Sequence, residues 1–126
     1  MAVDALQHIN IHAADVERSR EFYVRVIGLR VGPRPPVASA GYWLYLGAQP
    51  VVHLVERLPG AASMQGNGAI DHVAFHATDL ESVRRVLQEE GLSFREAVIP
   101  RDSSVQLFVH DPDGVKVELN FDPLPA

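Results

Sequence analysis

Two stretches of the chain repeat each other: LQHINIHAADVE covers Leu6–Glu17, and IDHVAFHATDLE covers Ile70–Glu81. The second follows the first by 64 residues, which is the separation of His8 from His72. Identical residues then coincide at five places, namely His8 with His72, His12 with His76, Ala13 with Ala77, Asp15 with Asp79 and Glu17 with Glu81. An internal repeat of this kind indicates a fold made of two similar units.

Each copy of the repeat predicts a strand followed by a helix. Residues 5–12 and 69–76 alternate apolar and polar side chains, which is the pattern of a strand with one buried face. Residues typical of helix ends follow at matching positions. They are Asp15 and Gly28 for the first helix, and Asp79 and Gly91 for the second.

Three shorter strands are predicted after each helix. They cover 29–32, 41–47 and 50–56 in the first copy, and 93–98, 104–110 and 115–120 in the second. The DPDG stretch before the last strand predicts a tight turn, with Gly114 at a positive φ. The predicted fold is therefore of the α+β class and consists of two tandem βαβββ modules.

The modules divide a single predicted domain of 126 residues. The first module covers about residues 4–57, a Gly-rich linker covers 58–68, and the second module covers about 69–122. A module of about 55 residues would be only marginally stable alone. We therefore expect the modules to share a core or to pair with a partner chain.

The composition excludes several classes of protein. A net charge of −5, from 11 basic and 16 acidic residues, argues against a nucleic-acid partner. The absence of cysteine excludes disulfides, a thiolate zinc site and a cysteine nucleophile. No apolar run approaches the roughly 20 residues of a membrane span, and the N-terminus lacks the pattern of a signal peptide. We therefore expect a soluble, cytoplasmic protein.

Polar residues interrupt the last predicted strand of each copy. Glu118 lies between Val117 and Leu119, on the face turned away from the helix, and His53 holds the equivalent position in the first copy. A charged carboxylate between apolar neighbours is costly to bury unless it is paired or bound to a metal. The pattern therefore indicates a metal site on this face.

The first histidine of each repeat points to the same face, so the predicted metal ligands are His8, His53, His72 and Glu118. Imidazoles with a carboxylate suit a divalent transition metal, here Ni, Co, Zn, Mn or Fe(II), and do not resemble an all-oxygen calcium or magnesium site. For His53 a role in proton transfer is an alternative. His12 and His76 lie further along the strands and are predicted to be structural.

The opening repeat and the closing LFVHDPDGVKVELN stretch resemble the vicinal oxygen chelate superfamily, and the resemblance covers nearly the whole chain. That superfamily includes glyoxalase I, fosfomycin-resistance proteins, bleomycin-resistance proteins and extradiol dioxygenases. The resemblance implies a glyoxalase-like fold in which paired βαβββ modules form sheets that curl around a divalent metal. It also implies a homodimer and a small substrate that chelates the metal through two neighbouring oxygens.

Three functions are open at this point. The first is a glyoxalase I-like lyase or isomerase, in which Glu118 and His53 are the catalytic residues; bacterial glyoxalase I has Glu at the position of His53. The second is an Fe(II)-dependent extradiol-type dioxygenase, in which His8, His72 and Glu118 form the metal triad. The third is a non-catalytic, drug-sequestering binding protein like the bleomycin-resistance proteins.

Six further residues are candidates for substrate binding: Asn10, Arg25, Arg34, Trp43, Arg101 and Phe108. Asn10 replaces a threonine that is common in fosfomycin-resistance enzymes. Arg25 resembles a position that binds a glutathione carboxylate in some glyoxalases. The other two arginines could meet an anionic substrate, and the two aromatic residues could form a wall of the pocket.

Overall fold

The structure is a computed structural model that describes residues 5–58, 70 and 72–123. The chain forms two compact units, and the division falls after residue 62. Each unit contains a four-stranded mixed sheet and a helix in the order βαβββ, which confirms the predicted fold. Most of the predicted linker, residues 59–68, lies outside the described residues.

The first unit is built on strands β1 (Ile9–Ala13), β2 (Arg30–Gly32), β3 (Gly41–Leu46) and β4 (Gln49–Glu56) and helix α1 (Val16–Phe22). Its strand order is β1-β4-β3-β2, in which only β1 and β4 are parallel. Asp15 caps α1, since its carboxylate accepts the N–H of Arg18 at 3.1 Å. A π-helical turn, Tyr23–Ile27, extends the helix to Gly28, whose φ of 91° ends it.

The second unit is built on strands β5 (Val73–Ala77), β6 (Phe94–Val98), β7 (Val105–His110) and β8 (Lys116–Phe121) and helix α2 (Leu80–Glu89). Its order is β5-β8-β7-β6, with β5 and β8 parallel. Asp79 caps α2 through the N–H of Ser82 at 3.2 Å, and Gly91 follows the helix with a φ of 67°. The DPDG turn has Gly114 at a φ of 87°, as predicted.

The two faces of each sheet differ in character. Alternate residues of the last strand are fully buried and form the core: Val52 and Leu54 in β4, and Val117 and Leu119 in β8. Since successive side chains of a strand point to opposite faces, the residues between them point away from that core. The residues on this second face include His53 in the first unit and Glu118 in the second.

The first strand of each unit begins later than the alternating pattern predicted, at Ile9 in β1 and at Val73 in β5. His8 and His72 lie immediately before β1 and β5 rather than inside them. In the first unit, Pro50 at the start of β4 has no N–H to continue the ladder. The carbonyl of Gln7 instead accepts a hydrogen bond from the side-chain amide of Gln49 at 3.2 Å. Both histidines are therefore on exposed chain next to the sheet.

No helix among the described residues is long and apolar enough to cross a membrane.

Candidate metal site

Three aromatic rings form a stack on the second face of the first sheet. The ring of His53 lies between Trp43, at a centroid distance of 4.1 Å, and His8, at 3.8 Å, and the rings are parallel to within 11° and 10°. Trp43 and Asn10 are the register partners of His53 on the neighbouring strands. The fold therefore brings two predicted ligands together against an aromatic wall.

The hydrogen bonding of His53 determines which of its nitrogens is available. Its Nε2 lies 3.1 Å from the carbonyl oxygen of Pro50, which can only accept. Nε2 therefore carries the proton, and Nδ1 has the lone pair that could bind a metal or accept a proton. Burial lowers the pKa of His53 below its ordinary 6.5, and the nearby His8 and Arg34 lower it further. The ring is thus neutral near pH 7.

The stacked geometry also limits how the first pair could bind an ion. The nitrogen lone pairs of an imidazole lie in the ring plane, so two parallel rings direct them along parallel planes. One ring must turn before both could bind the same ion. His8 is the exposed partner, and its described hydrogen bond is to the side chain of the adjacent Gln7 at 3.0 Å.

A carboxylate and an imidazole meet on the second face of the second sheet. Glu118 is only 7% exposed, and its Oε1 lies 3.5 Å from Nε2 of His72. Its other oxygen, Oε2, accepts a hydrogen bond from the amide of Asn120 at 2.7 Å. Two ligand atoms that are each about 2.1 Å from one ion lie about 3.0–3.4 Å apart. The His72–Glu118 pair is therefore close to the spacing of two ligands of one metal.

Phe108 and Arg95 border this carboxylate. Phe108 pairs directly with Glu118, and its ring meets that of His72 edge to face at a centroid distance of 6.4 Å. The guanidinium of Arg95, which pairs with Phe108 on the next strand, lies 4.4 Å over the centroid of the Phe108 ring. This face of the second sheet therefore carries a carboxylate, an aromatic ring and a guanidinium in one row.

The sequence profile of the Glyoxalase/Bleomycin resistance protein/Dioxygenase superfamily matches residues 5–119. The chain belongs to this superfamily. Glyoxylase I 4 of Arabidopsis thaliana is 31% identical over 131 residues, which cover 97% of this chain and 74% of that protein. Lactoylglutathione lyase of Salmonella typhimurium is 30% identical over 121 residues, 90% of each chain.

Two further proteins are similar over different lengths. A putative ring-cleaving dioxygenase of Bacillus subtilis is 30% identical over 105 residues, which are 77% of this chain and 33% of that protein. A glyoxylase/bleomycin resistance protein/dioxygenase domain from Frankia superposes with a TM-score of 0.80 at 17% identity, covering 99% of this chain and 96% of that one. The structural likeness supports the fold alone.

The three arginines that were predicted to bind substrate lie in different parts of the fold. The guanidinium of Arg34 is bound to the carbonyl and hydroxyl of Ser39 at 2.8 and 3.2 Å, although its charge still acts on His53. Arg25 lies on the π-helical turn, and Arg101 lies in the turn between β6 and β7. Neither has a described contact with the ring stack on His53 or with the residues around Glu118, which are His72, Asn120, Phe108 and Arg95.

The second histidine of each repeat is outside both clusters. His76 pairs with Asp122 at 3.2 Å on exposed surface, and His12 is exposed. In the described part of the chain, no three His, Asp or Glu side chains come together as a ready-made ligand set. The predicted ligands instead occur as two pairs, one in each unit, and their imidazole and carboxylate groups are of the kind that divalent transition metals accept.

Two residues of these clusters were missed from the sequence. Asn120 lies two residues after Glu118, so alternation along β8 places both on one face, and that signal was present. Arg95 reaches the same row only through the registers of β6, β7 and β8, which join residues distant in the sequence. The sequence carried no local signal for Arg95.

Proposed function

We propose that this protein is a divalent-metal-dependent lyase or isomerase of the glyoxalase type. Its substrate would be a small molecule with two neighbouring oxygens. The observation that carries the proposal is the buried carboxylate of Glu118, with one oxygen held by Asn120 and the other facing His72. The described neighbours of this buried carboxylate are an amide and an imidazole, and a bound metal ion would offset the cost of burying its charge.

The proposed ligands are His8, His53, His72 and Glu118, one pair from each unit. The proposal holds whether both pairs come from one chain or from two chains of a homodimer. Ni, Co, Zn, Mn and Fe(II) all accept such imidazole and carboxylate ligands. When bound, the metal would act as a Lewis acid toward the two substrate oxygens.

The proton-transfer roles are proposed for Glu118 and His53. Asn120 occupies Oε2 of Glu118, so Oε1 is the oxygen that faces the site and could accept a substrate proton. His53 is neutral and has its Nδ1 lone pair available, so it could serve as a second proton acceptor. The similarity to lactoylglutathione lyase, which covers 90% of each chain, supports the choice of a lyase as the proposed function.

A ring-cleaving dioxygenase is the second candidate. The 30% identity to the putative Bacillus enzyme supports it, as does a possible His8, His72 and Glu118 triad. The alignment covers only 33% of that enzyme, whereas it covers 90% of the lyase. The lyase is therefore our first choice.

Elemental analysis of the purified protein, followed by metal reconstitution, tests the metal proposal. We expect His8→Ala, His72→Ala and Glu118→Ala each to weaken metal binding at least about tenfold. The repeat supplies matched controls, since His12→Ala and His76→Ala should leave the affinity unchanged. Unchanged affinity in all three ligand variants would contradict the proposed site.

Turnover assays then distinguish the functions. Isomerisation of the adduct of glutathione and methylglyoxal by the loaded protein supports the lyase. Oxygen-dependent cleavage of a catechol by the iron-loaded protein favours the dioxygenase. Binding of a drug-like ligand without any bound metal would instead indicate a sequestering protein and would overturn the proposal.

A further inference from the structure

Arg95 differs from other arginines near the sheets in the partners of its guanidinium. Arg84, on α2, forms an ion pair with Glu96 of β6 at 2.6 Å. Arg20 pairs with Glu17 at 3.1 Å, and Arg34 donates to Ser39. Arg95 has, among the described residues, a contact with the ring of Phe108 but no ion pair or hydrogen bond. Its guanidinium donors are therefore open to a ligand.

The sheet registers direct this charge to the site face. Residues directly opposite in antiparallel strands project to the same face, so the pairs Arg95–Phe108 and Phe108–Glu118 form one row across β6, β7 and β8. Neighbouring strands are about 4.8 Å apart, so Arg95 lies about 10 Å from Glu118 between Cα atoms. Glu96, the next residue, projects to the other face, where Arg84 neutralises it.

The contact with Phe108 holds the guanidinium in place. A cation over an aromatic face is attracted by the ring quadrupole, and the centroid distance of 4.4 Å is well within the range of this interaction. The flat guanidinium binds a carboxylate through two parallel hydrogen bonds. A ligand that reaches from Glu118 across Phe108 would therefore place its far end at a preorganised anion receptor.

We propose that Arg95 and Phe108 form a subsite for a carboxylate of the substrate. The inference rests on the proposed metal-dependent function and narrows its substrate class to anionic compounds. In these, a carboxylate is separated from the two chelating oxygens by about the length of one ring or a short chain. At the equivalent register position of the first unit, the partner of Trp43 is Gly32, which carries no charge.

Two probes of nearly the same shape, one anionic and one neutral, test the subsite. They are 3,4-dihydroxybenzoate and 3,4-dihydroxybenzamide, which share the chelating hydroxyls and the ring. Zinc-loaded protein is used because zinc is not redox-active and so permits binding without turnover. Calorimetry should give about tenfold tighter binding of the benzoate, as expected for a charge-assisted hydrogen bond.

Variants then assign that preference to Arg95. Arg95→Met keeps the apolar stem over Phe108 and removes the charge, so it should abolish the preference while the benzamide affinity stays unchanged. Arg95→Lys should keep part of the preference. Arg85→Met, at an exposed arginine of α2 in the same unit, should keep all of it. Melting curves of the variants verify folding.

The outcomes separate the two proposals. If both probes bind in a metal-dependent way but with equal affinity, the subsite is overturned and the metal proposal survives. If Arg95→Met retains the preference for the benzoate, the subsite is also overturned. If neither probe shows metal-dependent binding, the proposed function is refuted together with the subsite.

Discussion

At the scale of single residues, Glu118 is the group whose surroundings most need an explanation. It is 7% exposed and accepts one described hydrogen bond, from Asn120, and it faces a histidine that is itself more than a third exposed. One amide hydrogen bond offsets only part of the cost of burying a carboxylate. Asn120 also orients the carboxylate, because it fixes one of its two oxygens.

Substitution of Asn120 should therefore reduce metal affinity without unfolding the protein. We expect Asn120→Leu to weaken metal binding about tenfold or more, as is usual when a partner of a metal ligand is lost. Gln106→Leu is the matched control, since Gln106 pairs with Asn120 in the sheet but donates no described hydrogen bond to Glu118. Chelator competition measures the affinities. Equal weakening in both variants would indicate a nonspecific effect on the sheet.

The stack around His53 gives a prediction about pH. Because burial lowers its pKa in the folded chain, the unfolded chain binds this proton first as the pH falls. His53 should therefore contribute full stability above its ordinary pKa of 6.5 and lose that contribution as the pH falls below it.

Trp43→Leu exposes the His53 ring and should raise its pKa, as followed by NMR titration. Trp43→Phe keeps an aromatic cover and should shift it less; an equal rise in both variants would contradict the role of the stack.

At the scale of elements, the prediction from sequence succeeded where a signal is local. Asp15 and Asp79 cap helices, and Gly114 closes a turn, because each of these roles depends on a few adjacent residues. The alternating pattern did not predict the start of β1 at Ile9, since the alternation continues into residues before the strand. The stack on His53 needed strand registers, which the sequence alone does not determine.

An ion pair links α2 to β6 in the described part of the chain. Glu96 accepts two hydrogen bonds from Arg84, at 2.6 and 2.7 Å, and these bonds lower the pKa of Glu96 below its ordinary 4.5. The stabilisation should be present above pH 4.5 and be lost as the pH falls through the lowered pKa. Glu96→Gln should therefore lower the melting temperature by a few degrees at neutral pH.

This effect should disappear in acid. Both side chains are partly exposed, at 33% and 25%, so the contribution is that of a screened surface pair rather than a buried one. Glu89→Gln, on the exposed face of α2, serves as the control and should leave the melting temperature unchanged. A difference between Glu96→Gln and the unmodified protein that persists well below pH 4.5 would argue against the ion pair as the cause.

At the scale of the whole molecule, the repeat preserves the scaffold and changes the chemistry. Equivalent positions of the two units hold Trp43 and Phe108, and likewise the predicted ligands His53 and Glu118. The first unit surrounds a neutral imidazole with aromatic rings, whereas the second supports a carboxylate with an amide. The sequence predicted this difference at the ligand positions, but the supporting contacts came only from the structure.

Exchange of the two ligand types tests whether each unit is adapted to its own residue. We expect His53→Glu to retain the metal, because carboxylates also bind these ions. We expect Glu118→His to bind metal at least about tenfold more weakly, because Asn120 would lose its carboxylate acceptor. Metal stoichiometry and chelator competition measure both. If Glu118→His binds as tightly as the unmodified protein, the two positions are interchangeable, and the asymmetry between the repeats has no role in metal binding.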